Sequence, residues 1–299
     1  MKRNTGWKLA TILSLITCAL FIATPSQAKL AIGTANGWEF STDGWIGAFA
    51  IYDDADALPA NVKPDLLTTS GNSSFRIRGG LLPSLLAFNV KAPTTNGIDV
   101  AARVGFYPQI QNDQTKGRQQ FDSQIDLREA YLTADGKFGQ VLAGRALHLY
   151  QGKNVLTDMT LFGVGVQGTA SSGGTTLGYI GYGYSYTNFG PQIKYTTPDF
   201  AGFKIAISIN DPGPLPGATD SYDIVDRPDY EGEISYAAKF GGLDVQAWIN
   251  GMNQDAENAA GDTATASGIA GGVGVDVSGL HVLASGWTGS GIGSYFVVC

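Results

Sequence analysis

Residues 127–145 read LREAYLTADGKFGQVLAGR, two apolar-rich runs around a short turn at Asp135-Gly136-Lys137. Tyr131, Leu132, Phe138, Val141 and Leu142 are interrupted by Arg128, Glu129, Gln140 and Arg145. The turn carries the residue types of a tight hairpin, so the stretch reads as two antiparallel strands. Two architectures give such strands one dry and one wet face. A soluble sandwich buries the dry face, whereas a barrel in a bilayer turns it outward.

The rest of the chain repeats the arrangement. Segments of about ten residues rich in Val, Ile, Tyr and Phe alternate with Gly/Asp/Asn/Ser stretches, the pattern of many strands. Short connections stand at TTNG (94–97), ADGK (134–137), DFAG (199–202), KFGG (239–242) and DVSG (276–279). Long polar ones lie at 53–72, 111–124, 146–187, 211–229 and 253–266, alternating with the short ones. A sandwich has turns of mixed length at both ends, while an outer-membrane barrel has short turns on one side of the bilayer and long loops on the other. Eleven strands are predicted, near 38–52, 73–92, 98–110, 125–134, 139–148, 188–197, 202–210, 230–239, 243–252, 267–276 and 281–288. SYFVVC (294–299) reads as the start of a twelfth.

The N-terminus sets the compartment. Lys2, Arg3 and Lys8 precede an apolar run from Leu9 to Ala23, and Ser26-Gln27-Ala28 supplies small residues for cleavage. This predicts a secretory signal peptide over 1–28 and a mature barrel over 29–299. A lipoprotein signal through Cys18 is disfavoured by Thr17 before it and by the short run ahead of it. Cleavage leaves Cys299 as the single cysteine, which suits a Gram-negative envelope protein better than a disulfide-stapled extracellular domain. The mature chain has 16 basic and 26 acidic residues, a net charge of −10 that argues against nucleic acid as a partner. After Ala23 no apolar run approaches the roughly 20 residues of a spanning helix, so entry into a membrane is expected through strands.

Alternation assigns faces. In SSFRIRGGLL (73–82), Ser74, Arg76 and Arg78 share one face, and Phe75, Ile77 and Leu81 the other. In GIDVAARVGFYP (97–108), Asp99, Arg103 and Tyr107 lie opposite Ile98, Val100, Val104 and Phe106. Polar residues on one face and bulky apolar ones on the other fit a water-filled lumen and a lipid-facing wall. On a hairpin centred on Gly136-Lys137, Glu129 falls opposite Arg145, on the face away from Arg128. Opposite charges across an antiparallel pair attract, and a pair facing outward is expected at a subunit interface.

These segments resemble the general Gram-negative porins. LREAYLTADGKFGQVLAGRALHLYQ is similar to their fourth and fifth strands, and IGYGYSYTNFGPQIKYTTPDFAGFKIAIS to their sixth and seventh. The resemblance runs from about Gly37 to Tyr295. It implies a homotrimer in the outer membrane, each subunit an all-β barrel of about 16 strands whose pore is narrowed by the third loop. The long excursion 146–187 sits where that loop belongs. It also implies passive diffusion of small hydrophilic solutes and ions, with Arg76, Arg78, Arg103 and Arg128 lining the pore opposite an acidic third loop. Asp158 is the one acidic residue between Arg145 and Tyr186, so the strong transverse field of the family is in question here. Against about 16 strands, the 11–12 predicted imply that four to five lie beyond Cys299. A twelve-strand closure is the rival.

Catalytic and metal chemistry find little support in the sequence. GVGVQG (163–168) has the letters of a dinucleotide fingerprint but lies in no βαβ unit. The two histidines, His148 and His281, have no Ser two residues on, and no Gly-x-Ser-x-Gly elbow occurs. One mature Cys and two separated His offer no ligand spacing. Asp220, Asp223, Asp226, Asp229 and Glu231 read as a solvated acidic loop. No cofactor and no enzyme activity are expected. The alternatives are a secreted β-sandwich binding module and an outer-membrane barrel enzyme.

Overall fold

The computed structural model describes residues 30–54, 73–111, 125–165, 176–216 and 221–292. The expected leader, Asp220, the segment 294–299 and most of the connections 53–72 and 111–124 lie outside the described residues. In chain order the strands are β1 (Leu30–Ala35), β2 (Trp38–Trp45), β3 (Phe49–Asp53), β4 (Ser74–Arg78), β5 (Leu85–Lys91), β6 (Asp99–Pro108), β7 (Ile125–Gly136) and β8 (Gly139–Leu147). A one-turn helix, α1 (Gly152–Leu156), comes next. Then follow β9 (Phe189–Thr196), β10 (Phe203–Asn210), β11 (Leu215–Pro216), β12 (Ser221–Tyr222), β13 (Asp229–Phe240), β14 (Leu243–Glu257), β15 (Thr263–Val277) and β16 (Leu280–Ser290).

Twelve strands form one antiparallel sheet in the order β1-β2-β5-β6-β7-β8-β9-β10-β13-β14-β15-β16. Each strand lies beside its neighbour in this meander, and among the described residues β1 and β16 do not pair with each other. Two-stranded ribbons, β3-β4 and β11-β12, extend from it. No helix among the described residues is long and apolar enough to cross a membrane.

The short turns explain the regular register. Asn36-Gly37, Asn96-Gly97, Ala201-Gly202, Gly241-Gly242 and Ser278-Gly279 each have two consecutive positive φ angles. That is the requirement of a two-residue type I′ turn, whose twist matches the flanking strands. The glycine is needed at the second position because a Cβ is strained there.

Four expectations are corrected. Strand β1 was not foreseen, although Asn36-Gly37 marks its hairpin with β2. The long strands expected at 38–52 and 73–92 break at 46–48 and 79–84. There Leu81 and Leu82 donate their N–H groups to Gly163 and Leu161 instead of to a neighbouring strand. The loop expected at 253–266 shrinks to 258–262, because the β14–β15 ladder stays paired out to Glu257 and Thr263. The β7–β8 register pairs Ala130 with Arg145, one residue from the expected partner Glu129, because the hairpin turns on Lys137-Phe138.

Candidate functional site

The sheet has two unlike faces. Phe88, Val104, Leu132, Ile207, Ile249 and Val273 lie on one face, all strongly exposed. Alternate positions carry Asn89, Arg103, Ser208, Glu233, Asn250 and Gln254. Ser208, Asn250 and Gln254 are at most 5% exposed although polar. Asn250 is covered by Gln151 from the segment after β8, and Gln254 donates to the Gly213 carbonyl, so we call this face inner.

The segment docks on the inner face by specific contacts. The N–H groups of Leu149 and Tyr150 donate to Glu231 Oε2 on β13 at 2.6 and 2.9 Å. Gln151 N–H donates to Asn250 Oδ1, and Trp248 Nε1 donates to Asn154 Oδ1. Lys153 on α1 lies 3.5 Å from Glu233. Tyr150 packs with Met252, Ala256, Ala266 and Ala270 from β14 and β15. Gly268 makes room for it: a Cβ there would stand 2.3 Å from the Tyr150 hydroxyl. Further along, Val155, Ile180 and Tyr184 pack with Leu81. The excursion after β8 thus lies against the inside of the wall, where the resemblance placed the third loop.

Arg103 is the centre of a charged cluster. Its guanidinium donates from Nη1 and Nη2 to the two oxygens of Asp43, at 2.8 and 3.1 Å. Nε donates to Glu129 Oε2 at 2.9 Å, and Nη1 also reaches Asn89 Oδ1. Tyr107 OH donates to the same Glu129 oxygen at 2.8 Å. One cation therefore faces two carboxylates, and the cluster carries net negative charge.

Glu129 joins this cluster and does not form the expected outward pair with Arg145. The β7–β8 register removes the pairing, and a β-bulge turns Glu129 inward: Gly105 pairs with Glu129 and Phe106 with Leu127, leaving Arg128 as the extra residue. A bulge breaks the period of two, so Arg128 and Glu129 both reach inner-face groups. Arg128 donates to Asp126 at 2.7 Å and lies over the Tyr107 and Phe189 rings at 5.3 and 5.4 Å. Arg145 stands opposite Ala130 and Pro191 and donates to the Phe189 carbonyl.

Arg76 and Arg78 lie on β4, buried, while Phe75 and Ile77 between them are exposed. Alternation therefore separates them as the sequence suggested. Asp158 is turned into the loop: its carboxylate accepts from Thr160 N–H and Oγ1, Tyr179 N–H and Tyr184 OH. Burial, with the Asp158 carboxylate beside it, pushes the Tyr184 hydroxyl well above the usual phenol range. Asp158 organises the segment from within.

The acidic stretch read as one solvated loop is split. Asp223 and Asp226 are exposed, but Asp229 and Glu231 are buried on β13. Asp229, Glu231 and Glu233 alternate with Tyr230 and Gly232, a period-two signal that marked a strand with an acidic inner face. Asp43 and Asn89, the partners of Arg103, carried no such signal, being on strands 60 and 14 residues away.

An antiparallel meander with an apolar outer face, a polar inner face and a long segment docked inside defines a transmembrane β-barrel wall. The family model for Gram-negative porins matches residues 15–292. The chain belongs to that family. Among solved structures it is similar to the outer membrane channel DcaP of Acinetobacter baumannii, at 15% identity and a TM-score of 0.56, covering 86% of this chain and 66% of that one. It is also similar to Salmonella typhi OmpF in complex with daunomycin, at 14% identity and a TM-score of 0.51, covering 86% of this chain and 67% of that one. The chain thus spans about two thirds of the length of these structures. No curated protein matches the chain significantly in sequence.

Proposed function

We propose that the inner face bounds a water-filled channel through the outer membrane for passive diffusion of small hydrophilic solutes and ions. The observation that carries this reading is residues 148–156 docked on the polar face while the opposite face exposes bulky apolar side chains. Water in a lumen satisfies the polar groups there, and lipid covers the apolar ones. The docked segment narrows the path, and charges near the narrowing bias which ions pass. We assign Arg103 with Asp43 and Glu129, and Arg128 with Asp126, to the lining, and also Arg76 and Arg78 on β4. A channel role is favoured over hydrolysis because Asp158 and the carboxylates of β13 hold the loop. We also propose a homotrimer, on the family resemblance. We assign Arg145, on the outward parity of β8, to a subunit contact, and an SDS-resistant oligomer on unheated gels tests the assembly.

Liposome swelling tests the function. Vesicles reconstituted with the protein should swell in small sugars at rates that fall steeply with solute size. Vesicles holding folded protein that swell no faster than empty ones contradict the reading.

A further inference from the structure

Three buried side chains meet where the docked segment leaves the wall. His148 closes β8, and Asp229 and Glu231 stand on the inner face of β13; they are 5%, 2% and 6% exposed. One ligand atom from each lies within 4.8 Å of the other two, the one such group of three among the described residues. Glu231 Oε2 is occupied by the N–H groups of Leu149 and Tyr150, which leaves Oε1 directed at His148. The His148 Nδ1 to Glu231 Oε1 separation is 3.6 Å. That is long for a hydrogen bond. It is near the roughly 3.4 Å edge between two ligands each about 2.1 Å from a tetrahedral cation.

The surroundings point the same way. Asn210 donates from Nδ2 to Asp229 Oδ2 at 3.0 Å, which holds its amide against the group. Its Oδ1, Asp229 Oδ1 and the hydroxyl of Ser208, which stands opposite Glu231 in the ladder, are buried without a partner. Asn210 is 2% and Ser208 5% exposed. Unpartnered buried oxygens around two carboxylates are costly unless a cation or proton joins them. Of the nearby cations, Lys153 is directed to Glu233. Lys194, opposite Ser208 on β9, lies within electrostatic reach of both Glu233 and Glu231, without an ion pair among the described residues replacing the His148–Glu231 approach.

We propose that His148, Asp229 and Glu231 bind one divalent cation of the Zn²⁺ class, with Asn210 or Ser208 supplying a further oxygen. One imidazole and two carboxylates select a first-row transition cation over Ca²⁺ or Mg²⁺, which prefer oxygen alone. The ion ties the root of the docked segment to the wall, joining His148 to Asp229 and Glu231 on β13. This inference concerns the folded wall and does not depend on conduction.

The test uses the full chain, folded in detergent, stripped with EDTA and checked for heat-modifiable migration. Zn²⁺ is titrated calorimetrically and bound metal is counted after gel filtration. One equivalent per chain is expected, with at least tenfold weaker binding in His148→Ala and Glu231→Gln. His281→Ala, which alters the exposed His281–Asp276 pair, should bind as wild type does. X-ray absorption of the Zn²⁺-loaded wild type should show one imidazole nitrogen beside carboxylate oxygens, a readout that needs no variant. Absence of a stoichiometric ion, an all-oxygen shell, or equal affinity in His148→Ala overturns the proposal.

Discussion

Arg103 shows how a charge on a pore wall is set by its partners. Its guanidinium lies between Asp43 and Glu129, so its removal exposes two carboxylates rather than deleting a lone cation. Arg103→Ser should therefore move the zero-current potential in a salt gradient toward cation preference, and by more than Arg128→Ser, whose partner is the single Asp126. The same change should cost about 1–3 kcal/mol, the penalty for stranding partly buried charged acceptors; chemical unfolding measures it. Asp43→Asn should shift the potential the opposite way. Tyr184 gives a pH dependence. Its hydroxyl is held above the unfolded phenol value of about 10, so its contribution is complete below that pH and lost as pH rises beyond it. Melting temperatures taken from pH 7 to 11 should fall at the alkaline end, and by less in Tyr184→Phe.

At the scale of elements, hairpins and docking follow different rules. The hairpins are local: period-two alternation and an X-Gly pair fix both strands, and so nearly all of the meander was legible in the sequence. Ala201 is the exception that tests this. It holds φ of 54° without the side chain that favours it, so Ala201→Asn should raise stability by roughly 0.5–1 kcal/mol in urea unfolding, whereas no change would mean the turn relaxes without strain. Docking of residues 148–156 is non-local and was not legible beyond the length and position of the excursion that carries them. Its anchors, Glu231 and Asn250, are 81 to 99 residues from the groups they hold. The bulge at Arg128 was likewise hidden, because a single extra residue leaves no compositional mark yet turns Glu129 from the outer to the inner face. Gly268→Ala probes the docking directly. The added Cβ meets the Tyr150 hydroxyl, and overpacking of this kind costs about 1–3 kcal/mol. The expected result is faster proteolysis between 148 and 188, with the hairpins intact.

For the whole molecule, the account rests on which face meets water. Lysine at position 207, on the outer face of β10, should destabilise the protein in lipid by roughly 2–4 kcal/mol, measured by urea unfolding in vesicles. Lysine at position 235, on the inner face of β13, should cost much less. Both faces were legible from alternation, since the residues that point each way differ so sharply in polarity. The central claim is that the inner face bounds an open aqueous path, and single-channel recording in a planar bilayer measures that path. Folded protein should give discrete, ohmic steps whose conductance rises in proportion to bulk KCl conductivity. Insertion without steps, or a conductance that saturates at low salt, would contradict it.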